Sequence, residues 1–167
     1  QTQWARRIEL PQGSVTLVLV VGGQVVGFGH AMPNSDPDLP DVDFELHACY
    51  FLPEHRRSAA GPEMMAALLA HAVDQSATSI CVWVWRDNPL RVTYGLLGLK
   101  AVVRRRRTIE GHSAPEVGYV SRDIPSLVNR LGCMAANVAR RACASGNQQF
   151  QPDRLRPLEI RSGTDRR

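Results

Sequence analysis

Three short stretches carry residue types able to do chemistry. LPEHRRSAAG, residues 52–61, sets Arg56 and Arg57 ahead of Ser58, Ala59, Ala60 and Gly61 and leads into an apolar-periodic segment. A small-residue loop at a helix start directs several backbone N–H groups and the positive end of the helix dipole at one point, which suits a phosphate or pyrophosphate. The two guanidinium groups add paired donors for the same anion. In FELHACYF, residues 44–51, Glu45 and His47 share one face of an extended strand, where a carboxylate and an imidazole can take up a proton directly or through a water. In DNPLRVTYGLLG, residues 87–98, Asn88 precedes Pro89 and an apolar run stopped by Gly98, the pattern of an N-capped helix carrying Tyr94. Each stretch also has an ordinary structural use: a capped helix with solvated arginines, a hydrogen-bonded surface pair, a Tyr packed on a sheet.

Regular elements must position these groups. SVTLVLVV (14–21) and QVVGFGHA (24–31) are β-branched runs separated by Gly22-Gly23, a two-residue hairpin signal because both glycines can take φ > 0. Met32 to Asp43 has loop chemistry, with three Pro and four Asp. The third strand alternates, predicting Phe44, Leu46, Ala48, Tyr50 and Leu52 towards the core and Glu45, His47, Cys49 and Phe51 away from it. Gly61 to Val73 has a helical apolar stripe, Met64, Met65, Leu68, Leu69, Ala72 and Val73, with Pro62 suited to the first helical position. Ser79 to Trp85 is apolar on both faces, as a covered central strand is, and strand–helix–strand implies a parallel pair. A short helix over 89–97 follows, then strands over 99–109 and 115–121 around Gly111. The organisation expected is an α/β domain over 1–125, a C-terminal helix over 126–143 striped by Leu127, Leu131, Met134 or Ala135, and Val138, and a polar, flexible tail over 144–167.

Composition bounds the rest. With 167 residues, 44% hydrophobic and a formal charge of +4, the chain is of single-domain size. Its longest apolar run, Val15 to Val21, falls far short of the roughly 20 residues of a membrane span, so a membrane protein is not expected. Cys49, Cys81, Cys133 and Cys143 form no C-x-x-C pair, which argues against a metal site and for free thiols in a reducing, cytoplasmic setting. Residues 1–54 hold two bases against seven acids and residues 55–167 eighteen against nine, so an acidic front and a basic rear are expected. Arg104 to Arg107, Arg140 and Arg141 lack interleaved aromatics to stack bases, so a solvated strand is favoured over a nucleic-acid surface.

YFLPEHRRSAAG, its helix, ICVWVW and DNPLRVTYGLLGLK together resemble the GNAT superfamily of N-acetyltransferases over residues 14–121. The family's [Q/R]-x-x-G-x-[G/A] loop is matched by Arg56, Ala59 and Gly61, and its Asn, Tyr and helix-ending Gly by Asn88, Tyr94 and Gly98, with Leu99 after them. The resemblance implies a mixed, splayed central sheet flanked by helices, with acetyl-coenzyme A as co-substrate in the gap between the strands ending near Leu52 and Trp85. The pantetheine arm would run along Cys49, Tyr50, Phe51 and Leu52, and an N–H among Cys49 to Phe51 would stabilise the thioester oxyanion. The pyrophosphate would sit on Ser58, Ala59, Ala60 and Gly61 with Arg56 and Arg57 outside, and Asn88 would lie beside the cofactor. Tyr94 would be the acid for the departing thiolate, with Glu45 and His47 as candidates for the base. No His is placed by sequence to activate Cys49, and the family transfers directly.

The sequence departs from that pattern in places. Ala59 stands where the family prefers Gly, and a left-handed backbone there would make its Cβ cost about 1 kcal/mol or more. Arg57 replaces another Gly, and Glu63 in the first helical turn would repel a phosphate. The family also sets a strand and two helices before the strand at Val15; only Gln1 to Gln12 stand there, with Trp4 and Ile8 suited to the end of the second helix, so that N-terminal part is expected to be truncated.

The expectation is therefore a cytoplasmic acyltransferase moving acetyl from acetyl-coenzyme A to a primary amine. The acidic stretch Asp36 to Glu45 favours a cationic small molecule or peptide as acceptor. Neither a membrane nor a nucleic acid is an expected partner, and a homodimer is compatible with the pattern. Two readings stand beside it: a non-catalytic acyl-coenzyme A binding or interaction domain of the same fold, and an acetyltransferase acting on aminoacyl-tRNA.

Overall fold

The computed structural model describes residues 11–56, 58–144 and 154–157. Its strands are β1 (Val15–Val21), β2 (Gln24–Pro33), β3 (Phe44–Phe51), β4 (Ile80–Trp85), β5 (Lys100–Ile109), β6 (His112–Ser121) and β7 (Arg154–Pro157). They form one sheet in the order β5-β6-β4-β3-β2-β1-β7, and the helices are α1 (Ala60–Asp74), α2 (Arg91–Leu96) and α3 (Ile124–Ala144). β3 with β4, joined through α1, is the parallel pair; the other described pairings are antiparallel. Gly22 and Gly23 turn the first hairpin with φ of 56° and 80°, the left-handed pair that a two-residue connection requires.

The main core lies between the sheet and the helices. α1 buries Ala60, Met64, Leu68, Leu69 and Ala72, and α3 buries Ile124, Leu127 and Leu131, against Leu19, Phe44, Leu46, Ile80 and Val82. Each large side chain so buried contributes roughly 1.5–3 kcal/mol. Gly29 lets α1 lie close to β2, since a Cβ there would stand 2.8 Å from Leu68 and 2.9 Å from Met64. Alternate residues of β4, Cys81 and Trp83, face the opposite side of the sheet. There the loop after β2 folds back and buries Leu39 and Val42 with Cys81 and Val120.

This loop is tied down by polar contacts. The Asn34 amide donates to the carbonyls of Leu39 (2.7 Å) and Val42 (3.0 Å). Asp43 Oδ2 accepts the backbone N–H and hydroxyl of both Thr78 and Ser79, and these bonds, the Thr78 N–H foremost, hold its carboxyl down at about 2. Arg105 reaches from β5 to Asp36 and Asp38 at 2.8 Å and to buried Glu116 at 2.6 Å, while its guanidinium lies 3.6 Å over the Trp83 ring. The solvated-strand expectation thus fails for Arg105, which joins residues 69 apart in the chain, and holds for exposed Arg104.

Four other expectations are corrected. His30 pairs with Ala48 and Ala31 with Leu46, so His47 is an extra residue on β3. That bulge inverts the alternation beyond it: Cys49 and Phe51 pack on the main core, and Tyr50 turns outwards with 62% of its surface exposed. α1 starts at Ala60, which makes Pro62 its third residue, still inside the first turn where an N–H has no helical partner. α2 starts at Arg91, because Asn88 first closes a turn by accepting the Leu90 N–H at 2.9 Å. Arg154–Pro157, placed in the flexible tail, pairs with β1 along Leu17 to Val20 and closes that edge of the sheet. The rest of the tail beyond Ala144, together with Trp4 and Ile8, lies outside the described residues.

Arg105→Ala should destabilise the fold by about 3 kcal/mol, since it leaves Glu116 buried without its close cation. Urea denaturation checks this; a loss below about 0.5 kcal/mol, as for an exposed pair, would show that Arg105 does not anchor the loop.

Candidate active site

β3 and β4 part almost at once. They pair at Phe44–Ile80 and Glu45–Cys81 and nowhere beyond, so the rest of β3 faces a gap on its β4 side. An antiparallel strand alternately directs its backbone towards and away from a given neighbour. The Leu52 N–H donates to the Val26 carbonyl at 2.9 Å, and the same phase turns Tyr50 and Ala48 towards β2. Cys49 and Phe51 therefore address the gap, where the Phe51 carbonyl accepts Arg56 Nε at 3.0 Å. Of the stretch 49–52, Cys49 and Phe51 offer backbone groups to a ligand there, whereas Tyr50 and Leu52 are engaged with β2.

At the open end of the gap, a single 3-10 turn over Pro53–His55 leads into α1. The Ser58 hydroxyl donates to the His55 carbonyl at 2.9 Å and accepts the Ala60 N–H at 3.3 Å. Ala59 is right-handed, with φ −65° and ψ −19°, so its Cβ carries no conformational cost. The first helical bond runs from the Glu63 N–H to the Ala59 carbonyl at 3.0 Å, which leaves the Gly61 N–H in the unpaired first turn. A Cβ on Gly61 would meet only the Phe51 ring, at 4.0 Å, so this helix end is open to a ligand. Arg57 lies outside the described residues.

The titratable groups gather on the two sides of the gap. His47 Nδ1 stands 2.8 Å from Glu45 Oε1, and the Glu45 side chain is only 10% exposed. Behind them, His30 meets His47 edge to face at 5.8 Å and contacts Thr16 Oγ1 through Nδ1 at 2.9 Å. Burial, and then the neighbouring His47, push the His30 pKa down, so His30 favours its neutral form. Across the gap, burial pushes the Tyr94 phenol up to about 12, with the adjoining Cys49 and Tyr50 adding to the effect. Its ring packs against Tyr119 at 5.8 Å. Burial also raises the Cys49 thiol to about 12, which keeps it a thiol and a poor nucleophile near neutrality.

The structure thus sets Glu45 with His47 on the outer face of β3 and Tyr94 beside Cys49 and Tyr50, with Phe51 next along the gap and Arg56, Ser58, Ala59, Ala60 and Gly61 at its mouth. Asn88 stands at the start of the turn into α2, its side-chain oxygen committed to Leu90. Sequence reasoning missed His30 and Thr16. The glycine hairpin alone would set Thr16 opposite Gly29; the irregularity between Leu19 and Val20 shifts it to His30. The acidic loop does not offer the charge its composition suggested: Asp36 and Asp38 hold Arg105, Asp41 holds Arg122, and Asp43 holds Thr78 and Ser79.

The profile of the acetyltransferase (GNAT) family matches residues 1–92. An N-acetyltransferase of Bacillus subtilis (strain 168), YuaI, whose own role is uncharacterised, is 29% identical over 109 residues; the match takes in 65% of this chain and 62% of that relative's length. Among solved structures, ribosomal-protein-alanine N-acetyltransferase from Brucella melitensis aligns with a TM-score of 0.57 at 18% identity, over 71% of this chain and 74% of the other. A Salmonella typhimurium acetyltransferase, yncA, solved with its cofactor acetyl-CoA, aligns with a TM-score of 0.54 at 15% identity, over 71% and 68%. At such identities the two structures establish the fold, including a mixed sheet of this kind.

Ala59→Gly tests the loop geometry. With a right-handed backbone, glycine should cost about 0.5–1 kcal/mol of stability and leave the affinity for acetyl-coenzyme A within twofold. Thermal denaturation and calorimetry read both; a gain in stability with tighter binding would mean that the loop is strained.

Proposed function

Since the chain belongs to the acetyltransferase (GNAT) family, we propose that it transfers acetyl from acetyl-coenzyme A directly to a primary amine. The observation that carries this reading is the early parting of β3 from β4, which turns the backbone of Cys49 and Phe51 into a gap that ends at the open first turn of α1. The residues present fit the co-substrate: an extended arm can pair with Cys49 and Phe51, and a pyrophosphate can rest on the N–H groups from Ser58 to Gly61 beside Arg56. When bound, acetyl-coenzyme A supplies a thioester carbon open to attack by an amine.

The chain's own groups then have definite tasks. The Cys49 N–H, turned away from the ladder with β2, is the donor this reading assigns to negative charge growing on the carbonyl oxygen, where a preorganised dipole has most effect. Glu45, held by His47, takes the amine proton directly or through a water as the C–N bond forms. Tyr94 gives its phenolic proton to the sulfur as the C–S bond breaks, and its raised pKa keeps that proton in place at working pH. Cys49 stays protonated, consistent with transfer in one step rather than through an acyl-thiol. Cys49, Cys81, Cys133 and Cys143 are free, which suits a reducing compartment such as the cytoplasm. Among the described residues no helix is long and apolar enough to cross a membrane.

Tyr94→Phe separates catalysis from binding, because it deletes one hydroxyl and keeps the packed ring. The transfer rate near neutral pH should fall by about a hundredfold or more, with acetyl-coenzyme A affinity and melting temperature hardly moved. The loss should ease as pH rises, since the thiolate then leaves without needing a proton. An unchanged rate at every pH would remove Tyr94 from the mechanism, and intact acetyl-coenzyme A binding without transfer to any amine would favour the non-catalytic reading.

A further inference from the structure

The face of the gap that carries Glu45 and His47 has aromatic walls and little free charge. Beyond the His47 bulge, Tyr50 shares that face, opposite Phe28 on β2; the two rings lie 5.5 Å apart and tilted by 38°. Tyr50 is 62% exposed, beside half-buried Phe28 and Phe51. On the other side of the gap, Val82 and Val84 of β4 enter the main core, so Trp83 and Trp85 turn to the same face as Tyr50. Trp85, at the open end of β4, is 36% exposed. Large aromatic surfaces left in water on both sides of a cleft are a surface for an apolar, flat ligand.

Charge narrows the class further. Arg105 neutralises Asp36, Asp38 and Glu116, Arg122 neutralises Asp41, and Asp43 is wrapped by donors from Thr78 and Ser79. Among the described residues, the Glu45 side chain pairs with His47 and with no arginine. Of the carboxylates Asp36, Asp38, Asp41, Asp43, Glu45 and Glu116, Glu45 is the one that no arginine or hydroxyl donor holds, and it stands beside aromatic walls. A single ammonium group is matched there, whereas each further charge of a polyamine would meet apolar surface.

We propose that the acceptor is a primary monoamine carried on an aromatic or flat apolar body, the amine at Glu45 and the body between the Phe28–Tyr50 pair and Trp85. This rests on the acetyltransferase reading, in which the amine becomes an amide and coenzyme A leaves as the thiol. Phenethylamine and spermidine are the probes. With the full chain and acetyl-coenzyme A, kcat/KM for phenethylamine should exceed that for spermidine at least tenfold. Tyr50→Ala should raise the phenethylamine KM about tenfold, a larger effect than on kcat.

Spermidine as the better acceptor, or a phenethylamine KM unmoved by Tyr50→Ala, would overturn the proposal. A titration followed by NMR decides the matter without turnover: phenethylamine should saturably shift the Phe28 and Tyr50 ring signals, and spermidine should not. Ring shifts without transfer to any amine would count against the acetyltransferase reading alone. Transfer to spermidine without ring shifts from phenethylamine would count against the acceptor class alone.

Discussion

Everything at the site depends on how briefly β3 and β4 are paired. Two residue pairs, Phe44–Ile80 and Glu45–Cys81, fix the relation of the strands before they separate. A sheet interior normally satisfies both sides of every strand, so an unpaired stretch inside one is a place for a ligand to complete the ladder. The antiparallel bonding of β3 to β2 decides which residues are left over. Because Leu52 is bonded to Val26, Cys49 and Phe51 turn to the gap. The His47 bulge decides the side chains: it sends Cys49 and Phe51 into the core and leaves Glu45, His47 and Tyr50 on one outer face. Backbone and side chains thus separate into a track for the co-substrate and a wall for the acceptor.

Keeping the gap open requires support from both faces. On one, α1 and α3 bury Met64, Leu68, Leu127 and Leu131. On the other, Arg105 gathers Asp36, Asp38 and Glu116 and stacks on Trp83, pinning the loop after β2 over β4 and β6. A buried carboxylate such as Glu116 is tolerated because a cation and hydrogen bonds accompany it. The cluster also removes negative charge from the acceptor side, so an acidic run in the sequence becomes a nearly neutral structural clasp.

The readable parts of the sequence were those governed by local rules. The glycine hairpin, the α1 stripe and the apolar strand Ile80–Trp85 each follow from residues a few positions apart. The two motif loops, at the right separation, pointed to the family. What stayed hidden was non-local. A one-residue bulge at His47 or near Val26 reverses or shifts every later partner, and no residue type marks either one. The loop partners of Arg105, Asp38 and Asp36, lie 67 and 69 positions away, and spacing could not single it out among eighteen other arginines. β7 reads as polar tail because a four-residue strand with one core-facing residue, Leu155, is too short to show a period of its own. At Ala59 the family comparison suggested strain; the backbone there is an ordinary helical one.

Amide hydrogen exchange, with and without acetyl-coenzyme A, tests the central claim most directly. The Ala48, Tyr50 and Leu52 amides face β2 and should be protected in both states, whereas those of Cys49 and Phe51 should exchange faster in the free protein and slow at least tenfold with ligand bound. Equal protection of all five amides without ligand, or slowing confined to surfaces away from β3, would contradict the account of a strand edge completed by the co-substrate.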